Sequence, residues 1–156
     1  MLVIAVGTRL ELDAVAHIEA LSFGSGLLNK PLHAGGWTRE SFEQDLQLSW
    51  SRLMVARLED KIVAFCNYWV VVDELQILNI ATHPTYRRQG VASQLLVHII
   101  EQAAQQKLQS LTLEVRKGNH SAQALYHKLG FLRVGERPKY YSDNQEAAVL
   151  MTLALK

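Results

Sequence analysis

A mixed α/β fold, its central sheet mostly antiparallel with about seven strands and four helices, follows from three features of the sequence. Two apolar runs, 53–58 and 62–72, flank the tight turn Glu59-Asp60-Lys61 and read as a hairpin, so the first half pairs antiparallel. At Val91 the apolar period changes from alternation to the three-and-four spacing of a helix. The order strand, helix, strand between residues 75 and 115 then requires one parallel crossover. A doubly wound dinucleotide fold would alternate throughout, and this chain does not.

The elements follow in order. Leu2–Val6, rich in Val and Ile, is a strand. Asp13 stands where an N-cap would, ahead of Val15, Ile18 and Leu21 at helical spacing. Residues 23–36 hold four glycines and Pro31 and form a loop long enough to be functional. Thr38 caps a second helix carrying Phe42, Leu46 and, at its far end, Trp50. After the hairpin and the Asp73-Glu74 turn, a third strand runs over 75–82 and is stopped by His83-Pro84. Val91, Leu95, Leu96, Ile99 and Ala103 form the stripe of a helix three to four turns long. Residues 108–115 make a strand with Leu111, Leu113 and Val115 on one face. A short helix, 121–129, stops at Gly130, with Phe131 placed for the apolar contact that follows such a stop. Strands over 131–135 and 148–155 close the chain.

Composition narrows the function classes. The 156 residues are 49% apolar and 20% charged, with 16 basic and 15 acidic side chains leaving +1. That is the balance of one globular domain over 1–156, neither disordered nor broadly nucleic-acid-binding. The single cysteine, Cys66, excludes an internal disulfide and any CxxC zinc site, and the six histidines form no HExxH, so no metal is expected. No apolar run approaches the ~20 residues of a membrane span, and no basic stretch precedes Leu2–Val6, so a cytoplasmic location is expected.

The segment Arg87-Arg88-Gln89-Gly90-Val91-Ala92 lies at the start of the long helix. A helix N-terminus offers unpaired N–H groups and a partial positive charge, and Gly90 lets a phosphate approach the backbone. Taken alone these six residues fit a solvated basic turn better than a phosphate site. They do not make a Walker loop or a GxGxxG turn.

The longer stretch from Leu78 through Asn79-Ile80-Ala81-Thr82-His83-Pro84 to Gly90-Val91-Ala92 resembles the coenzyme A signature of the Gcn5-related N-acetyltransferases (GNAT). Downstream, Leu113-Glu114-Val115-Arg116, Asn119, Ala124-Leu125-Tyr126 and Leu129-Gly130-Phe131 resemble the second half of the same family. More narrowly, the Leu-Glu-Val-Arg block and Arg137-Pro138-Lys139-Tyr140-Tyr141 resemble its RimI type, which acetylates the N-terminal alanine of a small-subunit ribosomal protein. The resemblance implies the GNAT fold, acetyl-CoA as co-substrate and a protein N-terminus as partner. It implies that Ile80, Ala81 and Thr82 follow the pantetheine arm and that Arg87, Arg88, Gln89, Gly90, Val91, Ala92 and Ser93 surround the pyrophosphate. Asn119 would hydrogen-bond the coenzyme, and the strands carrying Thr82 and Glu114 would splay to leave a slot.

Acetyl transfer to an amine needs a neutral amine, a stabilised carbonyl oxygen and a protonated leaving thiolate. Glu114 resembles the family's general base. On the strand it shares a face with Thr112 and Arg116, so pairing with Arg116 is the competing structural role. Tyr126 resembles the general acid, and core packing beside Leu125 is its alternative. An α-amine, with pKa about 8, reaches its neutral form at neutral pH more cheaply than a lysine near 10.4, by roughly 3 kcal/mol. This favours an N-terminal acceptor. Trp37, Tyr140 and Tyr141 are the candidate acceptor-side residues. Lysine or small-molecule amines, and an idle acyl-CoA-binding module, are the alternatives.

Overall fold

A computed structural model of the chain describes residues 1–23 and 36–155. Of the loop expected over 23–36, residues 24–35 lie outside the described residues. Seven strands form one sheet in the order β1-β2-β3-β4-β5-β7-β6. They are β1 (Leu2–Val6), β2 (Ser51–Leu58), β3 (Lys61–Val71), β4 (Glu74–Thr82), β5 (Ser110–Arg116), β6 (Leu132–Arg137) and β7 (Ala148–Ala154). The helices among the described residues are α1 (Leu12–Phe23), α2 (Arg39–Leu46), α3 (Val91–Gln105) and α4 (His120–Lys128). Every strand pair is antiparallel except β4–β5, the crossover expected around the long helix.

Local chemistry sets the element ends. Glu59 and Asp60 both take positive φ, 51° and 68°, the twist that a two-residue hairpin loop needs. Thr38 caps α2 as expected, accepting a bond from the Ser41 amide at 3.2 Å. Gly130, at φ 103°, ends α4, and the Phe131 amide returns to the Tyr126 carbonyl at 3.0 Å.

Two expectations are corrected. Asp13 is not the cap of α1. A short 3-10 turn, Arg9–Glu11, precedes that helix. The Glu11 carboxylate accepts from the Thr8 amide at 2.9 Å, so Thr8 and Glu11 satisfy the free donors one turn earlier. Asp13 instead pairs with Arg39 at 2.8 Å and ties α1 to α2. Trp50 lies beyond α2, which ends at Leu46, and meets Trp69 edge-on at 6.4 Å.

The sheet is covered on both faces. On one, Val91, Leu95, Leu96 and Ile99 of α3 pack on Cys66, Ile77, Leu111, Leu113 and Val115, with Tyr126 and Phe131 beside them. On the other, Leu12, Val15 and Ile18 of α1 and Phe42 of α2 pack on Leu53, Val55, Phe65 and Ala81. Leu95, Leu96 and Ile99 are fully buried, and each such side chain contributes about 1.5–3 kcal/mol. The α3 stripe is thus what fixes its N-terminus beside β4.

Candidate active site

The parallel pair β4–β5 holds for three register steps only, ending at Gln76 opposite Thr112. Beyond that point the strands diverge. The backbone groups that Ile77 to Thr82 turn towards β5 therefore have no ladder partner there. A bulge adds to the divergence. Asn67 pairs with Asn79 and Tyr68 with Ile77, so β4 carries one extra residue, Leu78, at the mouth of the gap. The resulting cavity, about 690 Å³, runs between β4 and β5 to the N-termini of α3 and α4.

One wall is the start of α3. Gly90 caps it at φ 77°, and no side chain caps the first turn. The first backbone return is from the Gln94 amide to the Gly90 carbonyl, which leaves the amides of Val91, Ala92 and Ser93 without helical acceptors. Arg88 stands at φ 62° on the same rim, and its guanidinium makes no ion pair or hydrogen bond within the described residues. Arg87 has a different task. Its guanidinium donates to the Thr82 carbonyl and to the Ser22 hydroxyl, both at 3.1 Å, and so clamps the end of β4 to α1. Ile80, Ala81, Thr82, Arg87, Arg88, Gly90, Val91, Ala92 and Ser93 all line the cavity. Gln89 does not; its amide reaches back to the Thr85 carbonyl at 3.5 Å.

The opposite wall carries Glu114. Its side chain is only 11% exposed, and the partner is not Arg116. Arg137 takes that place, its Nε 3.1 Å from Glu114 Oε1. Glu114 Oε2 is buried and makes no hydrogen bond. Arg116 turns instead to Asp143 at 2.9 Å and Glu146 at 3.3 Å, with its guanidinium 4.0 Å over the Tyr141 ring. These bonds pin the β6–β7 connection against the cavity, which Tyr141 lines. Tyr141 is buried and its phenol is pushed up to about 12, burial being the main cause. Tyr140 lies beside Glu114: burial first, and then that carboxylate, raise its phenol well above the ordinary value.

Tyr126 lines the cavity from α4, edge-on to Phe131 at 5.9 Å, and burial first, with smaller contributions from Cys66 and Tyr141, raises its phenol well above the ordinary value. Asn119 also lines it, as the cap of α4, its Oδ1 accepting from the Ala122 amide at 3.2 Å. Trp37 is apart from the cavity. Its ring packs 5.2 Å from Phe42 and its amide donates to Glu19 at 2.9 Å, in the core under α1 and α2. The slot thus gathers every residue expected on the cofactor side except Gln89, together with Glu114, Tyr126 and Tyr141, and Gln89, Tyr140 and Trp37 are not part of its lining.

Sequence reasoning does not single out Arg137 as the partner of Glu114, or Asn79 as a cavity residue. Arg137 could be found only from register, since it reaches Glu114 across β7; Asn79 leaves one sequence signal, a polar residue within the otherwise apolar run 77–81 of β4.

Known proteins bear on this geometry. Residues 12–131 match the acetyltransferase (GNAT) family model. A [ribosomal protein bS18]-alanine N-acetyltransferase of Escherichia coli (strain K12) is 33% identical over 147 residues, covering 93% of this chain and 92% of the relative. A Bacillus subtilis (strain 168) relative that carries the same name provisionally is 36% identical over 149 residues, covering 94% and 92%. The crystal structure of the ribosomal-protein-S18-alanine N-acetyltransferase from Escherichia coli superposes with a TM-score of 0.86 at 33% identity, over 100% of this chain and 95% of that one. With a diverging β4–β5 pair, an uncapped α3 and a family match across most of its length, the chain belongs to the GNAT family of N-acetyltransferases.

Proposed function

We propose that this protein transfers the acetyl group of acetyl-CoA to the α-amine of a protein N-terminus, with an N-terminal alanine of a bS18-type ribosomal protein as its substrate. The observation that carries the reading is the slot itself: free amides on α3 and β4 along one wall and a buried carboxylate oxygen of Glu114 on the other. Relatives 33% identical over nearly the whole chain, named as ribosomal-protein-bS18-alanine N-acetyltransferases, support the acceptor.

The residues present suit the coenzyme. The amides of Val91, Ala92 and Ser93 and the unpaired Arg88 suit a diphosphate, which helix N-termini and guanidinium groups both bind. The unladdered backbone of Ile77 to Thr82 suits an amide-bearing arm, in the manner of an added strand. When bound, acetyl-CoA supplies the activated acyl group as a thioester. Glu114 Oε2 accepts from an N–H of the neutral acceptor amine and takes that proton as the carbon–nitrogen bond forms, and Arg137 fixes the carboxylate so that this oxygen remains the free one. Tyr126 holds its proton at neutral pH and can give it to the departing thiolate. Tyr140 and Tyr141 border the acceptor side, where the first residues of a peptide would lie.

Three peptides test this with acetyl-CoA and the pure protein: one with free N-terminal alanine, one with that alanine blocked, and one blocked with an internal lysine. Acetylation of the free alanine peptide alone is expected. Acetylation confined to the lysine peptide would discard the acceptor and keep the enzyme class.

A further inference from the structure

Asn79 is 4% exposed, lines the cavity and belongs to a polar chain that crosses the sheet. Asp45, at the end of α2 and 7% exposed, anchors that chain. It accepts from the Ser51 hydroxyl, from Trp69 Nε1 at 3.0 Å and from Asn67 Nδ2 at 3.0 Å. A carboxylate only accepts, so Asn67 must present its amide nitrogen to Asp45. Asn67 Oδ1 therefore faces away, and it accepts from Asn79 Nδ2 at 3.4 Å. The amide orientation of Asn79 follows in turn. Its nitrogen is committed to Asn67, and its Oδ1 has no hydrogen-bond partner among the described residues, in a side chain that lines the cavity.

Register places that oxygen. Cross-strand partners share a face, and Asn79 pairs with Asn67, as Gln76 pairs with Trp69 and Ala81 with Phe65. Phe65 and Ala81 belong to the core under α1 and α2, opposite the Leu111, Leu113 and Val115 side. Glu114 alternates with those leucines and so stands on the face that Asn79 shares. The last laddered pair is Gln76 with Thr112. Counting the bulged Ile77-Leu78 as one step, Asn79 and Glu114 are level with each other across the gap.

We infer that Asn79 Oδ1 is the second acceptor for the substrate amine. This rests on the amine-acetylation reading above. A neutral primary amine has two N–H bonds and one lone pair. Glu114 Oε2 and Asn79 Oδ1, one from each wall, take the two N–H groups, and the lone pair is left pointing between the strands. Asn79 thereby selects primary over secondary amines, because a secondary amine lacks the second N–H and, once seated, shuts the Asn79 oxygen off from water without a donor. Asp45, which touches none of the cavity, sets the polarity of the arrangement from the far end of the chain.

The test compares a peptide beginning with alanine and the same peptide beginning with N-methylalanine. Wild type is expected to favour alanine in kcat/KM by at least tenfold. Asn79→Leu is expected to lower kcat/KM for alanine about tenfold and for N-methylalanine no more than twofold, so the preference collapses. Coenzyme A affinity, read by calorimetry, should be unchanged within twofold. Asp45→Asn is the second variant, since it leaves the cavity lining intact. An amide at 45 donates to Asn67, turns it over, and turns Asn79 to face the slot with its nitrogen; the same loss of preference is expected, at about half the effect on a logarithmic scale. An undiminished preference in both variants, or coenzyme affinity falling in step with kcat/KM, overturns the inference. If the wild type acetylates lysine peptides only, the N-terminal acceptor fails, and the lysine and Nε-methyllysine pair reads the Asn79 effect in its place.

Discussion

Arg137 reaches over the width of β7 to put its Nε 3.1 Å from Glu114 Oε1, while Glu114 Oε2 stays buried and unbonded. The pair gives the two carboxylate oxygens different tasks. One is anchored by the guanidinium, and the other is left as a buried carboxylate oxygen without a hydrogen-bond partner. A pair of this kind is worth little as a source of stability, because desolvation offsets most of the attraction. Its effect is orientation.

Glu114→Gln removes the proton acceptor and keeps the shape. The expected result is a fall of about 10²–10⁴ in kcat at neutral pH with coenzyme KM little changed. Arg137→Met is expected to lower kcat by about tenfold while leaving coenzyme binding alone, and Arg137→Lys to restore part of the loss. Steady-state kinetics with both substrates varied decides this. A Glu114→Gln enzyme at wild-type rate would remove Glu114 from the mechanism.

Tyr126→Phe tests the other proton. Burial raises the phenol, so ionisation of Tyr126 should not appear in the kcat profile below about pH 10. The phenylalanine variant should lose about 10–100-fold in kcat and keep its folding midpoint, since the ring still packs on Phe131. An alkaline limb in the wild-type profile near pH 8 that vanishes in the variant would contradict the burial argument.

The two adjacent arginines should separate cleanly. Arg88→Ala removes an unpaired cation at the mouth of α3, so coenzyme affinity should fall about tenfold and lose part of its salt dependence. Arg87→Ala breaks bonds to Thr82 and Ser22, so its main effect should be a lower thermal midpoint, by a few degrees. Calorimetry with coenzyme A and thermal melts of both variants give the comparison.

Acid stability has an address at Glu11. Burial alone would raise its carboxyl, but Arg57 and the Thr8 amide outweigh that and hold it below 4.5. A carboxylate whose folded pKa is depressed contributes stability above its unfolded pKa and loses it as pH falls through the folded value. Glu11→Gln should therefore lower the midpoint at pH 7 and flatten the fall between about pH 5 and 3. Melts across that range measure it.

Much of this molecule is decided by short-range information. The stripe from Val91 to Ala103, the Glu59-Asp60 turn and the Gly130 stop depend on period and on allowed φ, which neighbouring residues fix. The cofactor wall is legible for the same reason, because α3 starts where the stripe starts. The start of α1 is less so, since Asp13 and the Thr8–Glu11 pair are both adequate caps and only packing chooses.

Tertiary structure alone decided which groups meet across the slot. Glu114 takes Arg137 and not its strand neighbour Arg116 because β7 intervenes and the β6–β7 connection claims Arg116. Asn79 shares a sheet face with Glu114 because a single extra residue at Leu78 resets the alternation of β4 just where β5 leaves it. Sequence settled the elements and the family by local sterics and pattern. Register and strand divergence, which depend on contacts far apart in the chain, settled which side chains line the slot.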